Sequence, residues 1–149
     1  MKRGYHYTES GLSNVWLVSG YTIRKSKYGR GVSIHNVDGL HHAIAKALAN
    51  KARLTGAEVR FLRKEMGLSQ RGLGELVGVT DQAVALWERT GRVPKTADRL
   101  LRLIYLEREN GNLPIVKFIQ KLNDLDLQGA TEQIFAKEAK GGWVAQAAA

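Results

Sequence analysis

Residues 67–94 read GLSQRGLGELVGVTDQAVALWERTGRVP, and this stretch decides the fold. Ser69 is placed to cap a short helix in which Leu73, Leu76 and Val77 recur on one side. Gly78 stands where that helix must stop, and glycine enters a left-handed C-cap conformation without a Cβ penalty. Thr80 then caps a second helix that turns Val84 and Trp87 inward and leaves Asp81, Gln82, Ala85, Leu86 and Arg89 outward. Gly74 fits a close, steep crossing of the two axes, where a side chain larger than alanine would push the helices apart. Two short helices joined by a tight turn make a helix-turn-helix, a geometry whose second helix enters the DNA major groove.

The flanks extend this unit. Thr55-Gly56-Ala57-Glu58 is a capping box, and it opens a helix whose Val59, Leu62 and Met66 face a core. Pro94 closes the motif, and Asp98 to Arg108 reads as an apolar helix carrying Leu100, Leu101, Leu103, Ile104 and Leu106. Leucines on several faces imply several packing partners. The surface of residues 98–122 is more apolar than one small helix-turn-helix buries, so a homodimer through Leu103 and Ile104 is expected. Asn112-Leu113-Pro114 starts a further helix with Ile115, Phe118, Ile119 and Leu122 on one face. Beyond Asp126 the pattern fades: Thr131 to Lys140 reads as a short helix, and Gly141-Gly142-Trp143 with the closing alanines as a loosely held tail.

The N-terminal texture differs. Tyr5-His6-Tyr7-Thr8, Val15-Trp16-Leu17-Val18, Tyr21-Thr22-Ile23 and Val32-Ser33-Ile34 are β-prone runs separated by glycine-containing turns, which predicts a small antiparallel meander. Asp38 is placed to cap a helix from about Gly39 to Asn50 with Leu40, Ile44, Ala47 and Leu48 as its apolar stripe. The expected architecture is α+β: a β-rich N-terminal domain with a trailing helix over residues 1–50, an all-α helix-turn-helix and dimerisation domain over 51–125, and a tail over 126–149.

The 149 residues include 23 Lys and Arg against 14 Asp and Glu, a formal charge of +9 that favours a polyanionic partner. The excess lies in the first two thirds, with 7 basic against 2 acidic residues in 1–50 and 12 against 8 in 51–110. Without cysteine there is no disulfide framework and no thiolate metal site, in keeping with a reducing cytoplasm. The start Met-Lys-Arg-Gly-Tyr-His has no apolar signal stretch, and no run approaches a membrane span of about 20 residues. A cytoplasmic protein is expected. No nucleophile and base pair, phosphate loop or metal motif is present, so neither an enzyme nor a cofactor is expected.

Leu68-Ser69-Gln70, Gly78-Val79-Thr80, Val84, Trp87-Glu88 and Pro94 stand where the XRE-type, lambda-repressor-like pattern has them, and the stretch resembles that family. The order of parts, with Leu40-His41, Leu54-Thr55-Gly56 and Glu58-Val59-Arg60-Phe61-Leu62-Arg63, resembles the narrower MqsA or YgiT type of antitoxin and related regulators. Members of that group hold their N-terminal domain together with a zinc ion on two Cys-x-x-Cys pairs, which this chain lacks. Tyr5, Tyr7, Val15, Trp16, Leu17, Tyr21, Ile23 and Ile34 must then replace the metal by burial. His6, His35, His41 and His42 have no recognised ligand spacing, and no metal is expected.

Carried over residue by residue, the XRE resemblance implies base contacts from Asp81, Gln82 and Leu86. It implies backbone contacts from Ser69, Gln70, Arg71, Arg89 and Arg92, with Gln70 meeting a phosphate or bracing Gln82. Gln82 is the leading reader, because a carboxamide pairs bidentately with adenine. Leu86 departs from the arginine often found in the group. Trp87 would anchor the helix, and Glu88 would pair with Arg63. The resemblance implies a homodimeric repressor on a double-stranded operator, and an antitoxin whose N-terminal domain meets a toxin. The alternative is a ligand sensor, with Tyr5, Tyr7, Trp16, Tyr21 and Tyr28 lining a pocket.

Overall fold

Asn36 begins the first helix from a left-handed backbone at φ 51°, and its Oδ1 accepts from the Gly39 amide at 3.1 Å. Asn tolerates this conformation better than most residues. The cap therefore precedes the expected position, and Asp38 lies inside the first turn of α1 (Val37–Ala49) rather than capping it. The computed structural model describes residues 4–111, 114–128 and 133–148. The helices that follow are α2 (Gly56–Glu65), α3 (Gln70–Val77), α4 (Asp81–Thr90), α5 (Lys95–Asn110) and α6 (Ile115–Gln128). Helix α5 starts at once after Pro94, a turn ahead of the expected Asp98. The expected helix start at Asn112 and Leu113 lies outside the described residues.

The strands depart most from expectation. β1 (Tyr5–His6) and β2 (Val15–Leu17) pair antiparallel, but β3 (Tyr21–Ser26) and β4 (Gly29–Ile34) form a separate two-stranded ribbon instead of continuing a meander. The main sheet is completed from the other end of the chain. β5 (Gln133–Ala139) runs parallel to β2, and β6 (Gly142–Ala148) returns antiparallel to β5, giving the order β1-β2-β5-β6. A parallel pair needs a long crossover, and here helices α1 to α6 all lie within it. The expected helix over 131–140 is thus a strand over its described part. The expected loose tail supplies β6, one of the four strands, and Lys140 and Gly141, the latter at φ 95°, form the hairpin turn before it.

Burial explains the arrangement. Val15 and Leu17 of β2 pair with Ile134 and Ala136 of β5, all four fully buried, while Trp16 donates across to the Gln133 side chain at 3.0 Å. Helix α1 packs on β5 and β6 and turns Leu40, Ile44 and Leu48 into the same core. That core runs on through Val59 and Leu62 of α2, Leu73, Val84 and Trp87 of the helix-turn-helix, and Leu101, Tyr105, Phe118 and Leu122 of the last helices. Leu103 and Ile104 lie against it half-buried, so the side chains expected to dimerise serve the core of a single chain. Leu76, Ile23 and Ile115, all expected inside, are exposed.

Polar links tie the sheet to the helices. Glu58, with no exposed surface, accepts from the Thr55 amide at 2.8 Å, from Lys51 Nζ at 2.8 and 2.9 Å, and from Asn14 Nδ2 at 3.1 Å. The Asn14 carbonyl also accepts the Ile134 amide at 2.8 Å, so one carboxylate joins α2, the loop before it and both halves of the sheet. On α5, Asp98 accepts the Leu54 amide at 3.2 Å and pairs with buried Arg102 at 2.7 Å, and Arg102 donates to the Lys51 carbonyl. Asp126 of α6 meets Lys95 at 2.9 Å and Arg99 at 3.3 Å, and the hydrogen bond from Lys95 holds its carboxyl below the usual range.

Candidate nucleic-acid interface

Three of the four ends of the two central helices are closed by the residues the sequence offers, and Gly91, at φ 73°, closes the fourth. Ser69 Oγ accepts the Gly72 amide at 2.9 Å, and Thr80 Oγ1 accepts the Ala83 amide at 3.1 Å. Gly78, at φ 82°, donates to the Gly74 carbonyl at 2.8 Å. The crossing is tighter than the sequence suggests. A Cβ on Gly74 would stand 2.6 Å from the Val79 carbonyl oxygen, so alanine is excluded as well as larger residues. A second close approach, which the sequence reading did not single out, is Gly56: its Cβ would lie 2.3 Å from the Glu88 carbonyl oxygen, where the start of α2 meets the end of α4.

Behind α4 lies a clamp. Arg63 donates Nε to Glu88 Oε2 at 2.7 Å and Nη2 to Oε1 at 3.0 Å, a bidentate pair. Its Nη1 reaches the Leu68 carbonyl at 3.0 Å, so the guanidinium also fixes the entry to α3. Gln70 donates to Glu88 Oε1 at 3.2 Å. Of the two roles expected for Gln70, the brace goes to Glu88 rather than to Gln82. A nearly buried carboxylate with an unfilled lone pair is a stronger draw than an exposed amide. With Val84 and Trp87 buried, α4 is held along its whole inner side.

Its outer side is open. Asp81, Gln82, Leu86 and Arg89 are exposed and Ala85 is half-buried; residues 81, 82, 85, 86 and 89 share one face at helical spacing. The Asp81 carboxylate folds back to accept the Gln82 amide at 3.0 Å, at the helix end where a negative charge suits the dipole. Gln82 extends from the same turn with its carboxamide in solvent. Leu86 is 47% exposed, enough apolar surface to meet a thymine methyl. Ser69, Arg71, Arg89 and Arg92 are also exposed; Arg71 faces Glu75 at 3.5 Å across one turn, a contact worth under about 1 kcal/mol.

A groove of about 800 Å³ runs beside α4, between α2 and the turn at Glu9 to Gly11. Arg60 and Lys64, one turn apart on α2, border it with Arg89. The sequence reading missed these two cations, although their spacing of four on the solvent side of an amphipathic helix is the signal that marks them. The N-terminal aromatics do not converge on a pocket. Tyr5 packs near Tyr21 at 5.5 Å, buried Tyr7 shares a hydrogen bond with His41 at 2.7 Å, Trp16 stacks on His6 at 4.1 Å, and Tyr28 is 88% exposed. The histidines meet different partners: His35 faces Glu138, His42 faces Glu109 and His41 hydrogen-bonds with Tyr7. Among the described residues no helix is long and apolar enough to cross a membrane.

Residues 59–104, from Val59 in α2 to Ile104 in α5, match the family model described as helix-turn-helix. The match supports an XRE-type helix-turn-helix, and with it a DNA-binding transcriptional regulator. No curated protein matches the chain, and no solved structure matches it.

Proposed function

We propose that this protein is a sequence-specific repressor that binds its operator as a homodimer and serves as the cytoplasmic antitoxin of a toxin-antitoxin pair, without catalytic activity of its own. The observation that carries the DNA-reading half is the contrast between the two sides of α4. Its inner side is immobilised by Val84, Trp87 and the Arg63–Glu88–Gln70 clamp, while Gln82, Leu86 and Arg89 stand free on the outer side. A rigid helix with an uncommitted polar face is what base reading requires. The antitoxin half rests on the resemblance in the order of parts. In this reading the sheet closed by β5 and β6 offers the toxin a surface held by ordinary burial in place of zinc. A ligand-sensing regulator would have to use the groove between α2 and Glu9 to Gly11, since that groove touches α4 at Ala85 and Arg89.

Reading and anchoring separate by mutation. Gln82→Ala will cost about 1 to 3 kcal/mol on the selected operator and little on random duplex. Arg92→Ala will weaken both and reduce the salt slope by about one unit per protomer. Titration of each variant against both duplexes at several salt concentrations checks this, and equal losses for Gln82→Ala on the two duplexes would remove it from the reading face. The antitoxin reading is tested by co-expression with the product of the adjacent gene, where rescue of growth and co-purification are expected.

Because Leu103 and Ile104 serve the core, the proposed dimer must use other side chains. Leu127, 87% exposed on α6, and Ile115, 52% exposed, are apolar groups that α6 leaves to solvent among the described residues. Sedimentation at tens of micromolar should show a dimer that Leu127→Glu shifts to monomer without changing the melt. A wild-type monomer with full operator affinity would dispose of the dimer.

A further inference from the structure

The ribbon β3–β4 carries Arg24, Lys25, Lys27 and Arg30 and no acidic residue between Tyr21 and Ile34. All four cations are exposed, and among the described residues none has a carboxylate partner. Its base is anchored: Tyr21 packs near Tyr5, the His35 amide donates to the Gly20 carbonyl at 3.0 Å, and Trp143 Nε1 donates to the His35 carbonyl at 2.8 Å. Strands of this length span about 20 Å, so the far end stands well clear of that anchor. At the tip Lys27 lies over the Tyr28 ring at 5.2 Å, with the ring itself open to solvent.

Lysines on an exposed ribbon have an ordinary use in blocking edge-to-edge pairing. That use does not account for the register. Lys25 stands directly opposite Arg30, and like charges in that position weaken the pairing of the ribbon itself. A polyanion that bridged the two charges would relieve that repulsion. The centre of a protein interface is depleted in lysine and built on apolar anchors, whereas this ribbon offers cations along both strands and one aromatic ring, the pattern of phosphate contact. Its position fits as well: Tyr5, beside the ribbon base, donates to Glu9, and Glu9 lines the groove that opens onto Arg89 of α4.

We infer that the β3–β4 ribbon is a second nucleic-acid contact, in which Lys25, Lys27 and Arg30 grip the backbone phosphates of duplex DNA flanking the site read by α4. The inference rests on the DNA-reading function proposed above. The test uses the full chain, the Lys25→Ala, Lys27→Ala, Arg30→Ala triple variant, and two duplexes: one trimmed to the selected core and one extended by a helical turn on each side. On the extended duplex the triple variant should lose roughly 5 units of salt slope, about 2 to 3 for each protomer of the proposed dimer, while on the trimmed duplex the two proteins should titrate alike. An unchanged slope on the extended duplex, with operator still preferred over random duplex, would overturn the ribbon contact and leave the reading helix standing. Equal losses on both duplexes would place the ribbon within the core and overturn the flanking assignment. A wild type that prefers no sequence would instead overturn the DNA-reading function. Tighter ribbon-dependent binding to poly-glutamate than to duplex of equal charge would overturn the choice of DNA in favour of an acidic protein.

Discussion

Glu58→Gln should destabilise the fold by about 3 to 5 kcal/mol, as expected when one partner of a buried ion pair is removed. The Lys51 ammonium, 4% exposed, would keep its positive charge next to a neutral amide, and the new NH2 group would face donors already aimed at that position from Lys51 and Asn14. Urea unfolding should show a lower midpoint at an unchanged slope, because the surface exposed on unfolding stays the same. Adding Lys51→Met should recover most of the loss. The carboxamide oxygen introduced by Glu58→Gln can still accept the Thr55 amide, and exchanging both charges for groups of similar shape is close to neutral. A single-variant cost under about 1 kcal/mol would show that the pair is a by-product of packing rather than the tie between sheet and helices.

The same carboxylate shows where sequence reading reaches and where it stops. Thr55 and Glu58 are three residues apart, so the capping box is visible as a local pattern; that Lys51 and Asn14 also converge on Glu58 is set by tertiary packing. The helix-turn-helix was legible for the same reason. Ser69 and Thr80 accept amides three residues on, Gly78 donates to the Gly74 carbonyl four residues back, and Val84 and Trp87 follow from helical period. The sheet was not legible. Trp16 and Gln133 meet across 117 positions, and three of the seven residues of β6, the strand that packs against α1, are alanine, a residue depleted in strands. On the interface, the outward set at Gln82, Leu86 and Arg89 could be read from period alone. The inward turn of Gln70 could not, because a rotamer aimed at a buried acceptor leaves no trace in spacing.

Glu88→Ala should lower both stability and DNA affinity, with a loss of about 3 to 5 kcal/mol in unfolding. Three donors converge on this carboxylate, Arg63 Nε, Arg63 Nη2 and Gln70 Nε2, and Arg63 is only 9% exposed along its side chain. Truncation leaves the guanidinium desolvated with only the Leu68 carbonyl as partner. Arg63→Lys should fail to rescue, because an ammonium cannot reproduce the planar, two-pronged contact. A double-mutant cycle of Arg63→Ala and Glu88→Ala should return a coupling energy of about 1 to 3 kcal/mol, since two side chains in direct contact do not add. The effect on DNA follows from position. Glu88 is one residue from Arg89 and two from Leu86, so freeing it loosens the segment that presents both, and operator affinity should fall more than affinity for random duplex at a temperature where the variant is still folded. If affinity for the two duplexes fell equally, the clamp would serve the stability of the domain and have no part in aiming α4.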